Sequence, residues 1–102
     1  MSNTPEGRVK DKVRAMLKKH QVWYFLPGNN GMGKSGVPDF ICCVSGRLVG
    51  IECKADATKR ATSLQLFAAS EIERAGGRWF LVYDAETLAV AEATVVALKR
   101  CL

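Results

Sequence analysis

The chain has 102 residues, 48% of them hydrophobic and 25% charged, enough for one modest core in a single domain over 1–102 and unlike a disordered, collagen-like or coiled-coil chain. No apolar run approaches the roughly 18 residues of a membrane-spanning helix, and the polar start Met1-Ser2-Asn3-Thr4-Pro5-Glu6 is not a signal peptide, so a cytosolic protein without a membrane partner is expected. Fifteen Lys and Arg against ten Asp and Glu give +5, and the first twenty residues alone carry six basic against two acidic residues, a stripe suited to a polyanion or to a solvated helix face.

Val9, Val13, Met16, Leu17 and His20 recur at helical spacing, with Asn3 or Thr4 as the cap and Pro5 just inside the helix. Glu6 precedes Val9 by three residues and shares its inward stripe. Val22 to Leu26, dense in aromatic and branched residues, reads as a strand. A glycine-rich loop then runs from Pro27 to Pro38.

Two apolar runs follow, Asp39 to Val44 and Arg47 to Lys54, and Ser45-Gly46 between them predicts a two-residue hairpin. Phe40, Cys42, Val44, Val49 and Ile51 fall on one face, and Ile41, Cys43 and Leu48 on the other. A pair apolar on both faces needs helices on both. A helix from about Thr62 to Ala75 is expected to turn Leu64, Phe67, Ala68 and Ile72 inward and to end at Gly76-Gly77. Arg78 to Tyr83 reads as a strand. Asp84 can cap a last helix carrying Leu88, Ala91, Val95, Leu98 and Leu102. The expectation is a compact three-layer α/β domain of order α-β-β-β-α-β-α. Cys42, Cys43, Cys53 and Cys101 contain no Cys-x-x-Cys pair and read as core thiols in a reducing compartment.

Gly28-Asn29-Asn30-Gly31-Met32-Gly33-Lys34-Ser35 fits the phosphate-loop pattern G-x-x-x-x-G-K-[ST]. That loop requires a helix starting at its Lys-Ser, and Gly36-Val37-Pro38 forbids one, so no nucleoside triphosphate is expected as a ligand. The loop's amides and Lys34 remain able to touch a phosphate backbone.

A hairpin turning at Ser45-Gly46 sets Val44 against Arg47 and, continued, Asp39 against Glu52, with their Cβ atoms about 5 Å apart. Lys54 lies two residues beyond Glu52, on the same face. Two carboxylates this close need a proton or a cation between them, and Mg²⁺ or Mn²⁺ with oxygen ligands answers that need in a form suited to phosphodiester hydrolysis. The rival reading is a Lys54–Glu52 ion pair with Asp39 capping its strand.

Gly36-Val37-Pro38-Asp39-Phe40, Ile51-Glu52-Cys53-Lys54 and Thr62-Ser63-Leu64-Gln65 together resemble the PD-(D/E)xK nuclease superfamily, in particular its compact virus-type replication-repair (VRR-NUC) branch, over Glu6 to about Tyr83. The resemblance implies a restriction-endonuclease-like fold with a mixed central sheet. Asp39, Glu52 and the backbone carbonyl of Cys53 would be the metal ligands, Lys54 would position the attacking water, and Gln65 would lie near the scissile phosphate. Glu6 matches the first-helix acid of related junction resolvases, and equally a capping-box partner of Asn3. Gln65 can also be read as an exposed helix residue. Lys10, Arg14, Lys34, Lys59 and Arg60 are candidate DNA contacts. The implied activity is that of a metal-dependent, structure-selective endonuclease of the bacterial or phage-encoded type, foremost a Holliday-junction resolvase acting as a homodimer on structured DNA. A flap, nick or single-strand nuclease and a catalytically silent nucleic-acid-binding module are the alternatives.

Overall fold

The structure, a computed structural model, describes residues 2–28 and 35–100. Seven elements follow in chain order: α1 (Pro5–Lys19), β1 (Trp23–Phe25), β2 (Phe40–Val44), β3 (Arg47–Cys53), α2 (Ser63–Arg74), β4 (Arg78–Val82) and α3 (Ala85–Lys99). Thr4 caps α1, its hydroxyl accepting from the amide of Gly7 at 3.0 Å. That leaves Glu6 outside any capping box with Asn3. Asp84 and Thr87 form a reciprocal capping box that fixes where α3 begins.

The strands form one sheet in the order β1-β2-β3-β4, antiparallel except between β3 and β4, where α2 makes the crossover that a parallel pair requires. The β2–β3 hairpin turns at Ser45 and Gly46, both with positive φ (52° and 80°), as a type I′ turn demands. Its register sets Val44 against Arg47 and Phe40 against Ile51. On the inner face Phe40, Cys42, Val44, Val49, Ile51 and Cys53 pack with Val13, Met16 and Leu17 of α1 and Ala91 and Val95 of α3.

The outer face carries one helix for four strands. Ala68 and Ala69 are the buried residues of α2, and its Ile72 reaches within 3.4 Å of a Cβ built on Gly50. Small residues on both sides let the helix sit close to the sheet. Leu64 and Phe67, expected inward, are 58% and 59% exposed because the contact runs through Ala68, Ala69 and Ile72 instead. Cys43 and Leu48, expected to be covered, are exposed for the same reason: no helix lies over β1 and β2 on this side. Of the other thiols Cys42 and Cys53 are buried, and Cys101 lies outside the described residues.

From Ser35 the chain turns and enters β2, with no helix starting there, so the helix a phosphate loop needs is missing. Asn29 to Lys34, and with them the proposed backbone contact of Lys34, lie outside the described residues. Gly36 has φ +80°, and a Cβ built on it would lie 2.3 Å from the carbonyl oxygen of Leu64. Only glycine lets this segment pass beneath the first turn of α2. Gly36→Ala is expected to lower stability by about 2 kcal/mol or more, measured by urea denaturation, whereas Gly28→Ala, whose Cβ meets nothing within 4 Å, should change it little.

Candidate active site

Continued one residue past Phe40–Ile51, the hairpin register brings Asp39 opposite Glu52, at the end of β3 next to the first turn of α2. The backbone of β2 leaves the ladder at Asp39, and the side chain takes over: Asp39 Oδ2 accepts the amide N–H of Cys53 at 2.8 Å. Glu52 is the buried charged residue of the chain's described part, only 4% exposed. Its Oε2 accepts from Gln65 Nε2 at 2.9 Å and lies 3.8 Å from Lys54 Nζ. Its Oε1 is buried with no hydrogen-bond donor.

Gln65 is fixed from both ends. Its Oε1 accepts from the amide of Thr62 at 2.8 Å while the Thr62 hydroxyl accepts from the amide of Gln65, completing a capping box. The residue that completes the capping box of α2 is thus the one that orients Glu52, so the reading of Gln65 as a merely exposed helix residue fails. Its side-chain partners are the Glu52 carboxylate and the Thr62 amide.

The orphaned oxygen and the approach of Asp39 act on the same group. Burial, the charge of Asp39 and a hydrogen bond that the two carboxyls can form only by sharing a proton push Glu52 up to about 7, against a smaller opposing pull from Lys54. A cation held between the two carboxylates would do the work of that proton. Among the described residues no group of three or more His, Cys, Asp or Glu side chains clusters as a metal site, so an ion here would rest on two carboxylates with main-chain and water oxygens. That donor set suits Mg²⁺ or Mn²⁺, hard ions that bind through one or two carboxylates and keep much of their water. The residues present fit such an ion.

Lys10 stands beside the pair, where sequence reasoning had it gripping DNA. Its Nζ lies 3.4 Å from Glu6 Oε2 and 3.6 Å from Asp39 Oδ1. Partial burial works against its charge, yet the carboxylates of Asp39 and Glu6 outweigh it and hold the ammonium above its usual range. The spacing of Glu6 and Lys10, one helical turn apart, was the available signal. Glu6 therefore joins the site through Lys10. Arg14 pairs with Asp11 at 3.3 Å along α1, and Lys59 and Arg60 are exposed on the connection between β3 and α2.

Comparison with solved structures finds a chain titled "VRR_NUC domain", with a TM-score of 0.74 and 22% identity over 85% of this chain and 92% of that one. No family model and no curated protein matches the sequence. The fold is thus that of a VRR_NUC domain, a compact restriction-endonuclease-like α/β architecture, and it agrees in element order with the one read from the sequence.

Since Glu52 ionises less readily in the folded chain than near 4.5 in the unfolded one, folding binds a proton between those values, and stability falls as pH rises from about 4.5 to about 7. Glu52→Gln replaces the shared proton with an N–H donor. In thermal melts without divalent ions it is expected to remove this decline and to raise stability at pH 8 by on the order of 2 kcal/mol.

Proposed function

We propose that the chain is a single nuclease domain: a divalent-metal-dependent endonuclease that hydrolyses phosphodiester bonds in structured DNA, with four-way junctions as its foremost substrate. The observation that carries the reading is the buried Glu52 carboxylate, its Oε1 without a donor and its ionisation opposed by the charge of Asp39. The VRR_NUC fold and the alignment of Asp39, Glu52, Lys54 and Gln65 along one end of the hairpin support it.

In this reading Asp39 and Glu52, with the carbonyl of Cys53, hold Mg²⁺ or Mn²⁺. The ion when bound lowers the pKa of a water and offsets charge on the phosphate. Asp39 is kept in place by the Cys53 amide, and Glu52 by Gln65, so neither carboxylate must reorganise when the ion enters. Lys54, largely buried beside Glu52, orients the water and stabilises negative charge on the phosphoryl oxygens. Lys59, Arg60 and Arg14, with Lys34, offer side chains to the backbone of the DNA, a contact that positions without reading sequence. No helix among the described residues is long and apolar enough to cross a membrane.

A homodimer, which the two-fold symmetry of a four-way junction would suit, would have a surface to use. Trp23 and Phe25 of β1, whose rings sit 5.8 Å apart, share the outer face with Ile41, Cys43 and Leu48 through the strand register. A groove of about 760 Å³ runs between this row and α2, floored by Pro38, Ile41 and Leu48 and walled by Ala68, Glu71 and Ile72. Leu64 and Phe67 project from α2 one turn ahead of that wall. With aromatic side chains covering about 150–250 Å² each when buried, the exposed parts of these residues offer on the order of 500 Å² per copy, a large share of the roughly 800 Å² a stable interface takes from each partner. A groove and projecting side chains on one face are the parts that a two-fold interface between two copies would use, and a four-way junction has matching symmetry.

Labelled four-way junctions, flaps and duplexes incubated with the protein in Mg²⁺ or Mn²⁺ test the activity. Junction cutting is expected, at least a hundredfold lower in Lys54→Ala and abolished in Asp39→Asn with junction binding retained. Failure to cut any of these DNAs with either ion ends the reading, and cutting of flaps alone moves the substrate but not the chemistry. In sedimentation equilibrium the protein should be a dimer that Phe67→Asp dissociates at least tenfold more readily, and a monomer in the wild type would contradict the interface.

A further inference from the structure

We infer that Lys10 is a resident counter-ion that occupies the Glu6 side of Asp39 and so limits this chain to one divalent ion. The inference rests on the metal-dependent reading above and adds a stoichiometry and a residue that enforces it.

Asp39 has two oxygens and both are engaged. Oδ2 receives the Cys53 amide at 2.8 Å and Oδ1 faces Lys10 Nζ at 3.6 Å. The same ammonium lies 3.4 Å from Glu6 Oε2. It stands between the two carboxylates, Glu6 and Asp39, that would otherwise flank a second cation. The side chain is about two-thirds covered, its position fixed by Glu6 one turn earlier on the same helix.

Charge balance argues in the same direction. Three carboxylates, Glu6, Asp39 and Glu52, face two ammoniums, Lys10 and Lys54, leaving one net negative charge. One divalent ion together with one phosphodiester, itself singly negative, makes the site neutral. A second divalent ion would leave two positive charges uncompensated beside Lys10, at distances where like charges repel strongly in a partly dry site. An ammonium has three donors, no acceptor and no demand for octahedral geometry, so it neutralises Asp39 and Glu6 without competing for the face of Asp39 turned to Glu52.

The test counts ions on the metal-free full chain, by calorimetric Mn²⁺ titration and by electron paramagnetic resonance of unbound Mn²⁺. The wild type and Lys10→Arg are expected to bind one Mn²⁺ per chain. Lys10→Met, with Lys10→Gln as a second variant should the first not fold, is expected to bind two, the second at least tenfold more weakly. The double variant Glu6→Gln/Lys10→Met should return to one, since the site it opens needs Glu6. Thermal melts establish that each variant is folded. Two ions in the wild type, or one in a folded Lys10→Met or Lys10→Gln, overturns the role of Lys10 while leaving the metal reading intact. No ion in the wild type overturns that reading and this inference with it.

Discussion

A buried carboxylate with one oxygen lacking a donor and a second carboxylate's charge beside it is costly to keep ionised at neutral pH. Glu52, with its donorless Oε1 and the charge of Asp39 acting on it, is such a group. Isolated burial of an ionised carboxylate costs several kcal/mol, and a like charge nearby adds to it. The chain answers this in two ways within its own atoms: a proton held up to about 7, and ammonium groups on both sides, Lys54 at Glu52 and Lys10 at Asp39. Neither satisfies Oε1 once the proton leaves. In the proposed reading a divalent cation would, and the energetic cost built into the site would then become affinity for it.

Much of the fold serves to hold that unfavourable pair in place. The type I′ turn at Ser45-Gly46 fixes the register that makes Asp39 and Glu52 neighbours, and a slip of one residue would send them to opposite faces. Gly36 lets the strand's approach pass under α2, and the α2 capping box turns Gln65 onto Glu52. On the opposite face, α1 and α3 pack against the apolar side of the same hairpin and make it rigid. The polar site is therefore placed by an apolar core on the other side of one sheet.

The hairpin was legible in the sequence because strand alternation and a two-residue turn leave a single register, and from it Asp39, Glu52 and Lys54 follow by counting. Asn3 or Thr4 with Pro5 marks the start of α1 and Asp84 offers a cap for α3, but only the capping boxes in the structure settle where α2 and α3 begin. Less was legible where the outcome depended on how far one element covers another. Leu64 and Phe67 have the spacing of a buried stripe, but the approach of α2 is set by Ala68, Ala69 and the bare backbone of Gly50, which composition along the helix alone does not reveal. Cys43 and Leu48 read as buried because an apolar strand face looks the same whether a helix or a second molecule covers it. Lys10 was read as one of several surface cations because its partner Asp39 is distant in sequence, and only the packing of α1 beside β3 brings them together.

The central claim is that Asp39 and Glu52 form a pair that must share a proton or a cation, and it is tested most directly by following the side-chain carboxyl carbon of Glu52 by NMR across pH, with and without Mg²⁺. A titration midpoint near 7 in the metal-free protein that falls by two or more pH units when Mg²⁺ is present is the expected result. A midpoint in the ordinary glutamate range under both conditions would contradict the account.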